Sequence, residues 1–238
     1  MEEIKIHARS HPKERNREDE ALRNLCSTKG RNLICSMIER RSDTDGKAEG
    51  ILGDISTKSF TKRPALQAGP LVSIFNFMNN AVFVNNKPGS VYKCDAAFLM
   101  LVKSSFRWVV SGTSRVLYFA NKQLVAESEK KEYPRIGLQP TYTPELGDIF
   151  RCEKGENAFF LCSKALTDAI GSEGIEKALK EASSQDDWMR RVEEMAGDTD
   201  FAAQALILPE QRRAPVLSIV IIILLIIVII MMAIMLNT

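Results

Sequence analysis

The chain has 238 residues, 45% of them hydrophobic and 26% charged, with 32 basic against 30 acidic side chains. That composition excludes a disordered chain, and the near balance of charge excludes the strongly basic surface of a nucleic-acid binder. Two histidines, His7 and His11, leave little material for His-based metal or nucleophile chemistry, and five cysteines without a CxxC pair (Cys26, Cys35, Cys94, Cys152, Cys162) read as free thiols in a reducing compartment.

In chain order, "IKIHARS" (4–10) alternates like a half-buried strand, and the mixed-charge "HPKERNR" (11–17) with "EDE" after it reads as solvated. "RNLICSMIER" (31–40) reads as a buried strand. "SDTDGKAEG" (42–50) has turn chemistry; the wider "TDGKAEGILGD" (44–54) lacks the Gly-Lys-Ser/Thr of a phosphate loop and also reads as a turn. From 69 to 87, Leu71, Ile74, Phe75, Met78 and Val82 follow helical spacing behind Pro70. Four strand-like runs follow, at 96–103, 106–112, 115–121 and 123–128. Their short separators predict an antiparallel meander. A Pro- and Tyr-rich loop (133–146), a strand "NAFFLCS", helices at 172–183 and 185–197, and a strand at 202–208 complete the domain. Strands with grouped helices and no βαβ alternation predict an α+β layered fold.

After a linker at 209–215, "VLSIVIIILLIIVIIMMAIML" (216–236) runs uncharged for roughly 30 Å of helix, the thickness of a hydrocarbon core. It predicts a single transmembrane helix. The charged N-terminal stretch carries no apolar signal segment, and Arg212 and Arg213 flank the span, so the expectation is a single-pass tail anchor with residues 1–208 in the cytoplasm. The span has no charge to mark an ion path and no small-residue stripe.

Several segments, in order, resemble the metal-dependent protein phosphatases of the PPM (protein phosphatase 2C) type in their compact bacterial form. "FRWVVSGTSRVLYFANKQLV" is similar to the family's strand, Gly-Asp-Ser-Arg and hairpin stretch, with Gly112, Ser114 and Arg115 kept and Thr113 in place of Asp. The family's Gly-Thr-Thr reads Cys94-Asp95-Ala96. "LGDIFRCEKGENAFFLCSKALTDAIGSEGIEKAL" resembles its Ser-Asp-Gly-Leu strand and helix, and "MAGDTDFAAQALIL" its closing Asp-Asn strand. The resemblance implies a β-sandwich flanked by helices over residues 1–208.

In that family, aspartates hold two divalent cations that activate a water toward phosphorus, because hard cations take several oxygen anions. Carried over by position, the Ser-Asp-Gly-Leu aspartate falls on Lys164 and its glycine on Ala165. The Arg-x-x-Asn-Glu-Asp motif falls on Glu14 to Asp19, keeping Glu18 and Asp19, with Arg17 replacing Asn. The final Asp-Asn pair falls on Asp200 and Phe201. Around 38–50 the second-loop aspartate has no clean copy, Glu39 and Asp45 both being out of place. A lysine about 4 Å from a divalent ion repels it by about 8 kcal/mol at an effective dielectric near 20. The expectation is a vestigial site at Asp19, Lys164 and Asp200, with no metal, cofactor or catalytic residue, and with Lys164 pairing the leftover acids in the metal's place.

Between Val125 and Asp148 only about twenty residues stand where the family carries a longer flap. The resemblance therefore implies a membrane-anchored pseudophosphatase acting as a protein-interaction or regulatory scaffold. The alternatives are an accessory subunit of a membrane complex and a divergent active phosphatase using Asp19, Asp45 or Glu39, and Asp200. The partners expected are the membrane, through one helix, and other proteins; nucleic acid is not among them.

Overall fold

The computed structural model describes residues 7–11, 22–27, 32–40, 47–62, 65–89 and 91–208. The linker and the span at 216–236 lie outside the described residues, as do Glu14, Arg17, Glu18, Asp19 and Asp45. Among the described residues no helix is long and apolar enough to cross a membrane.

The elements run β1 (His7–His11), β2 (Leu22–Ser27), β3 (Asn32–Arg40), α1 (Lys47–Lys62), α2 (Ala68–Phe83), β4 (Cys94–Val102), β5 (Ser105–Ser111), β6 (Arg115–Ala120), β7 (Gln123–Glu127), β8 (Glu145–Leu146), β9 (Phe150–Arg151), β10 (Asn157–Cys162), α3 (Lys164–Glu181), α4 (Gln185–Ala196) and β11 (Phe201–Leu208). One antiparallel sheet has the order β1-β11-β10-β6-β7. The other has the order β2-β3-β4-β5-β8, with β9 also on β5.

Each sheet is covered on both faces. Between them, Cys35 and Met37 of β3 pack with Leu99, Phe106, Tyr118 and Phe159. The alternate residues Ile34 and Ile38 turn the other way, against Leu52 of α1 and Leu71, Phe75 and Met78 of α2. On the outer face of the first sheet, Phe119 and Phe160 meet α3 and α4 around the fully buried Trp188. The Trp188 indole N–H donates to the Ile175 carbonyl at 3.1 Å, so the ring is buried without an orphaned donor. Double coverage is why β4, β6 and β10 read as continuous apolar runs; the edge strand β7 alternates between exposed and half-buried residues. The α+β expectation holds, as helix–sheet–sheet–helix layers.

Several local expectations are corrected. The Gly-rich stretch at 44–54 is not all turn: α1 starts at Lys47, and the buried Ala48, Leu52, Ser56 and Phe60 recur every four residues along one stripe. The expected meander is two hairpins. β4 and β5 pair in one sheet, β6 and β7 in the other, and the chain crosses between sheets at Gly112–Ser114. β2 was not recognised, since its polar text carries no long apolar run. The helix expected from Ser172 is there, and a shorter one from Lys164 precedes it within α3, the two meeting at Gly171, whose φ of 68° and ψ of 170° leave the helical region.

Candidate functional site

At the end of the sandwich where β3 finishes and β4 begins, Glu39 and Asp95 are cross-strand partners. They continue the alternation of Met37 and Ala97, so both side chains face the space between the sheets. Glu39 is 7% exposed and Asp95 has no exposed surface at all. Withdrawing a carboxylate from water costs several kcal/mol unless charge and hydrogen bonds replace the lost solvent.

Asp95 obtains both. Arg135 Nε donates to its Oδ1 at 2.7 Å, and the Thr113 hydroxyl donates to its Oδ2 at 2.9 Å. Arg135 also pairs with Glu132 at 2.7 Å. Burial works against the Arg135 charge, and Asp95 and Glu132 together outweigh it, holding its pKa above the ordinary value.

The backbone fixes this geometry. Tyr133 N donates to the Gly112 carbonyl at 2.8 Å, Cys94 N to the Ile136 carbonyl at 3.0 Å, and Ile136 N to Ser111 Oγ at 3.1 Å. These bonds lay residues 133–136 across the ends of β4 and β5 and put Arg135 over Asp95. Gly112, at φ 64°, lets the crossover approach: a Cβ there would fall 1.8 Å from Asp95 Oδ1. Arg115 anchors the same turn, its Nη1 donating to the Ser114 carbonyl at 3.0 Å and the Lys131 carbonyl at 3.1 Å. The Cys162 thiol, opposite Arg115, is pushed up by burial, which disfavours its thiolate.

The resemblance expects threonine at 95 and aspartate at 113. The chain has the two residue types exchanged and bonded to each other.

Lys164 and Asp200 come to one end of the first sheet. Ser163 N donates to the Ala202 carbonyl at 2.8 Å and Ala202 N to Ser163 Oγ at 3.2 Å, which seats Lys164 after β10 beside the start of β11. The Lys164 side chain is half exposed, and its ammonium pairs with Asp168, one turn along α3. Asp200 is exposed. Asp19 lies outside the described residues.

Among the described residues no three His, Cys, Asp or Glu side chains are grouped to hold a metal ion. Two divalent cations do not fit these residues. Both oxygens of Asp95 already accept from Arg135 and Thr113, and the position where the resemblance expects an aspartate carries the Lys164 ammonium. The Asp95–Arg135 pair escaped sequence reading because the partners are 40 residues apart and Arg135 falls in an irregular segment.

No protein-family model and no curated protein matches the sequence. Solved structures do. A bacterial serine phosphatase superposes with a TM-score of 0.74 at 10% identity, covering 89% of this chain and 100% of that one. Serine/threonine phosphatase Stp1 from Staphylococcus aureus superposes at 0.73 and 12% identity, covering 88% and 96%. The catalytic domain of serine threonine protein phosphatase PstP, in complex with two manganese ions, superposes at 0.68 and 15% identity, covering 87% and 99%. The fold is therefore that of the PPM-type serine/threonine phosphatases.

Proposed function

We propose that this protein is a pseudophosphatase: a PPM-type fold that has lost turnover, is anchored to a membrane through residues 216–236, and serves as a protein-interaction or regulatory scaffold on the cytoplasmic side. The observation that carries the reading is the buried Asp95–Arg135 pair, a guanidinium bonded to the carboxylate at the end of the sandwich. Lys164, where the resemblance expects an aspartate, supports the same reading, because an ammonium replaces a carboxylate that a divalent cation would need. The short stretch between β7 and β8 supports the same reading. It stands in place of a longer flap and is bonded down onto β4 and β5.

Calorimetric titration of the full chain in detergent with Mn²⁺ and Mg²⁺, alongside hydrolysis of an aryl phosphate and a phosphorylated peptide, tests this. The expected result is no saturable metal binding and no chelator-sensitive turnover. Metal-dependent hydrolysis by the unmodified protein overturns it.

A further inference from the structure

A groove of about 280 Å³ opens along the edge of the sandwich where β7 ends one sheet and β8 and β9 end the other. Aromatic rings form its floor. Trp108 and Phe150 stack with centroids 4.7 Å apart, and Tyr133 stands beside them. Carboxylates form its rim: Glu127, Glu129, Glu145 and Asp148. Asp148 is exposed and carries no ion pair among the described residues.

Two further observations give this edge a preferred ligand chemistry. The first is the Trp108 indole N–H. The side chain is only 5% exposed, and among the described residues its Nε1 has no hydrogen-bond acceptor. Nε1 lies against Gly147, another wall residue, where a Cβ would sit 2.4 Å away. That N–H is not among the protein's sealed-off unpartnered atoms; in the wall of the groove it takes its acceptor from water or from a ligand. The second is Lys131, whose ammonium stands 5.1 Å from the Tyr133 ring centroid, 2.6 Å from Glu129 and 3.4 Å from Glu145. The protein thus already holds cations of its own at the rim: Lys131 over an aromatic face and between two carboxylates, and Lys130 3.5 Å from Glu127.

We propose that this groove docks an extended basic segment of a partner protein. A lysine or arginine side chain lies over the aromatic floor between Glu145 and Asp148, and a backbone carbonyl of the segment accepts the Trp108 N–H. The edge strands β7 and β8 border the groove, so an extended chain can run along it where a small ammonium ion cannot. Charge complementarity selects a basic segment and disfavours the protein's own residues 11–17, whose cations alternate with Glu14 and run into Glu18, Asp19 and Glu20. The site is distinct from the Asp95 centre, so peptide capture and phosphate-ester hydrolysis are read separately and either can fail alone.

The test is fluorescence anisotropy of the full chain in detergent with a labelled peptide of alternating Arg-Lys and Gly. The control is the same peptide carrying citrulline and norleucine. Saturable binding of the basic peptide that weakens between about 50 and 500 mM salt is expected. Glu145→Gln with Asp148→Asn, both exposed, is expected to weaken it about tenfold. Trp108→Phe keeps a ring but removes the N–H; it is expected to weaken binding several-fold, with the fold checked by near-ultraviolet circular dichroism. Lys131→Met releases Glu129 and Glu145 from the internal cation and is expected to tighten binding. No saturable binding, equal binding of the neutral peptide, or affinity unmoved by the carboxylate pair or by Lys131→Met overturns the proposal. Displacement of the peptide by tetramethylammonium at equal concentration also overturns it, because it reassigns the groove to a small cation. A chain lacking residues 12–20 that binds about tenfold tighter overturns it as well, by making the protein's own segment the occupant.

Discussion

Arg135 Nε lies 2.7 Å from Asp95 Oδ1, and the carboxylate it touches has no exposed surface while the guanidinium is about a quarter exposed. The pair joins the end of β4 to the segment between β7 and β8. Cutting it leaves a charge in a space that water does not reach. Arg135→Met is expected to lower stability by about 2–4 kcal/mol, less than the loss of a fully buried pair. Asp95→Asn added to Arg135→Met is expected to recover part of that loss. Urea unfolding of the four members of the cycle gives the coupling, and a coupling near zero would show the pair to be incidental.

Gly112 and Gly171 separate two reasons for a glycine. Both have positive φ, but a Cβ at Gly112 meets Asp95 at 1.8 Å while one at Gly171 meets nothing within 4 Å. Gly171→Ala is expected to cost the backbone strain alone, about 1–2 kcal/mol, and Gly112→Ala that strain plus a displaced carboxylate, more than about 3 kcal/mol. Thermal melting of the two variants should rank them in that order.

Lys164→Asp with Ala165→Gly introduces the residues that the resemblance expects at these two positions. Lys164 pairs with Asp168 at half-exposed positions, an interaction worth well under about 1 kcal/mol, and an aspartate there sits favourably at the start of α3. The melting temperature is therefore expected to stay nearly unchanged. Any metal binding gained is expected to be weak by calorimetry, since Arg135 remains on Asp95. Tight Mn²⁺ binding by this variant would mean that Lys164 alone had blocked the site.

Asp187 closes the start of α4. It accepts from Ser183 N at 2.9 Å while its own N–H donates to Ser184 Oγ at 3.1 Å. The Ser183 N–H, then Arg190 and Arg191, hold its carboxyl well below the ordinary range. A depressed folded pKa contributes stability above the unfolded value, about 3.9, which is lost as pH falls through the folded one. The wild type is expected to lose stability below about pH 4 more steeply than Asp187→Asn, which starts less stable at neutral pH. Parallel acid titrations by circular dichroism would refute this.

Deleting residues 214–238 removes the longest uncharged apolar run in the chain. The truncated protein is expected in the soluble fraction with its near-ultraviolet spectrum intact. Persistent pelleting after a high-salt wash would require a second anchor or an integral partner.

The sequence by itself determined the fold class and the order of most of the elements, though not β2 or α1. The apolar runs at β3, β4, β5, β6, β10 and β11 are legible because each strand must bury its own side chains wherever it pairs, and the helical stripe of α2 for the same reason. It also carried a lysine at 164 where the resemblance expects an aspartate, since that is a matter of residue type. The pair Lys164–Asp168 was within its reach too, at a spacing of four on one helix. Tertiary structure alone decided which strands share a sheet. Separators of two or three residues join β4 to β5 and β5 to β6 alike, but only the first pair forms a ladder. It alone brought Arg135 to Asp95 and Glu39 to the same face, because backbone bonds from Tyr133 and Ile136 set the register of an irregular segment that has no periodicity to read. Residue types are local properties of the chain, whereas a buried charge finds its partner only through packing of segments far apart in sequence.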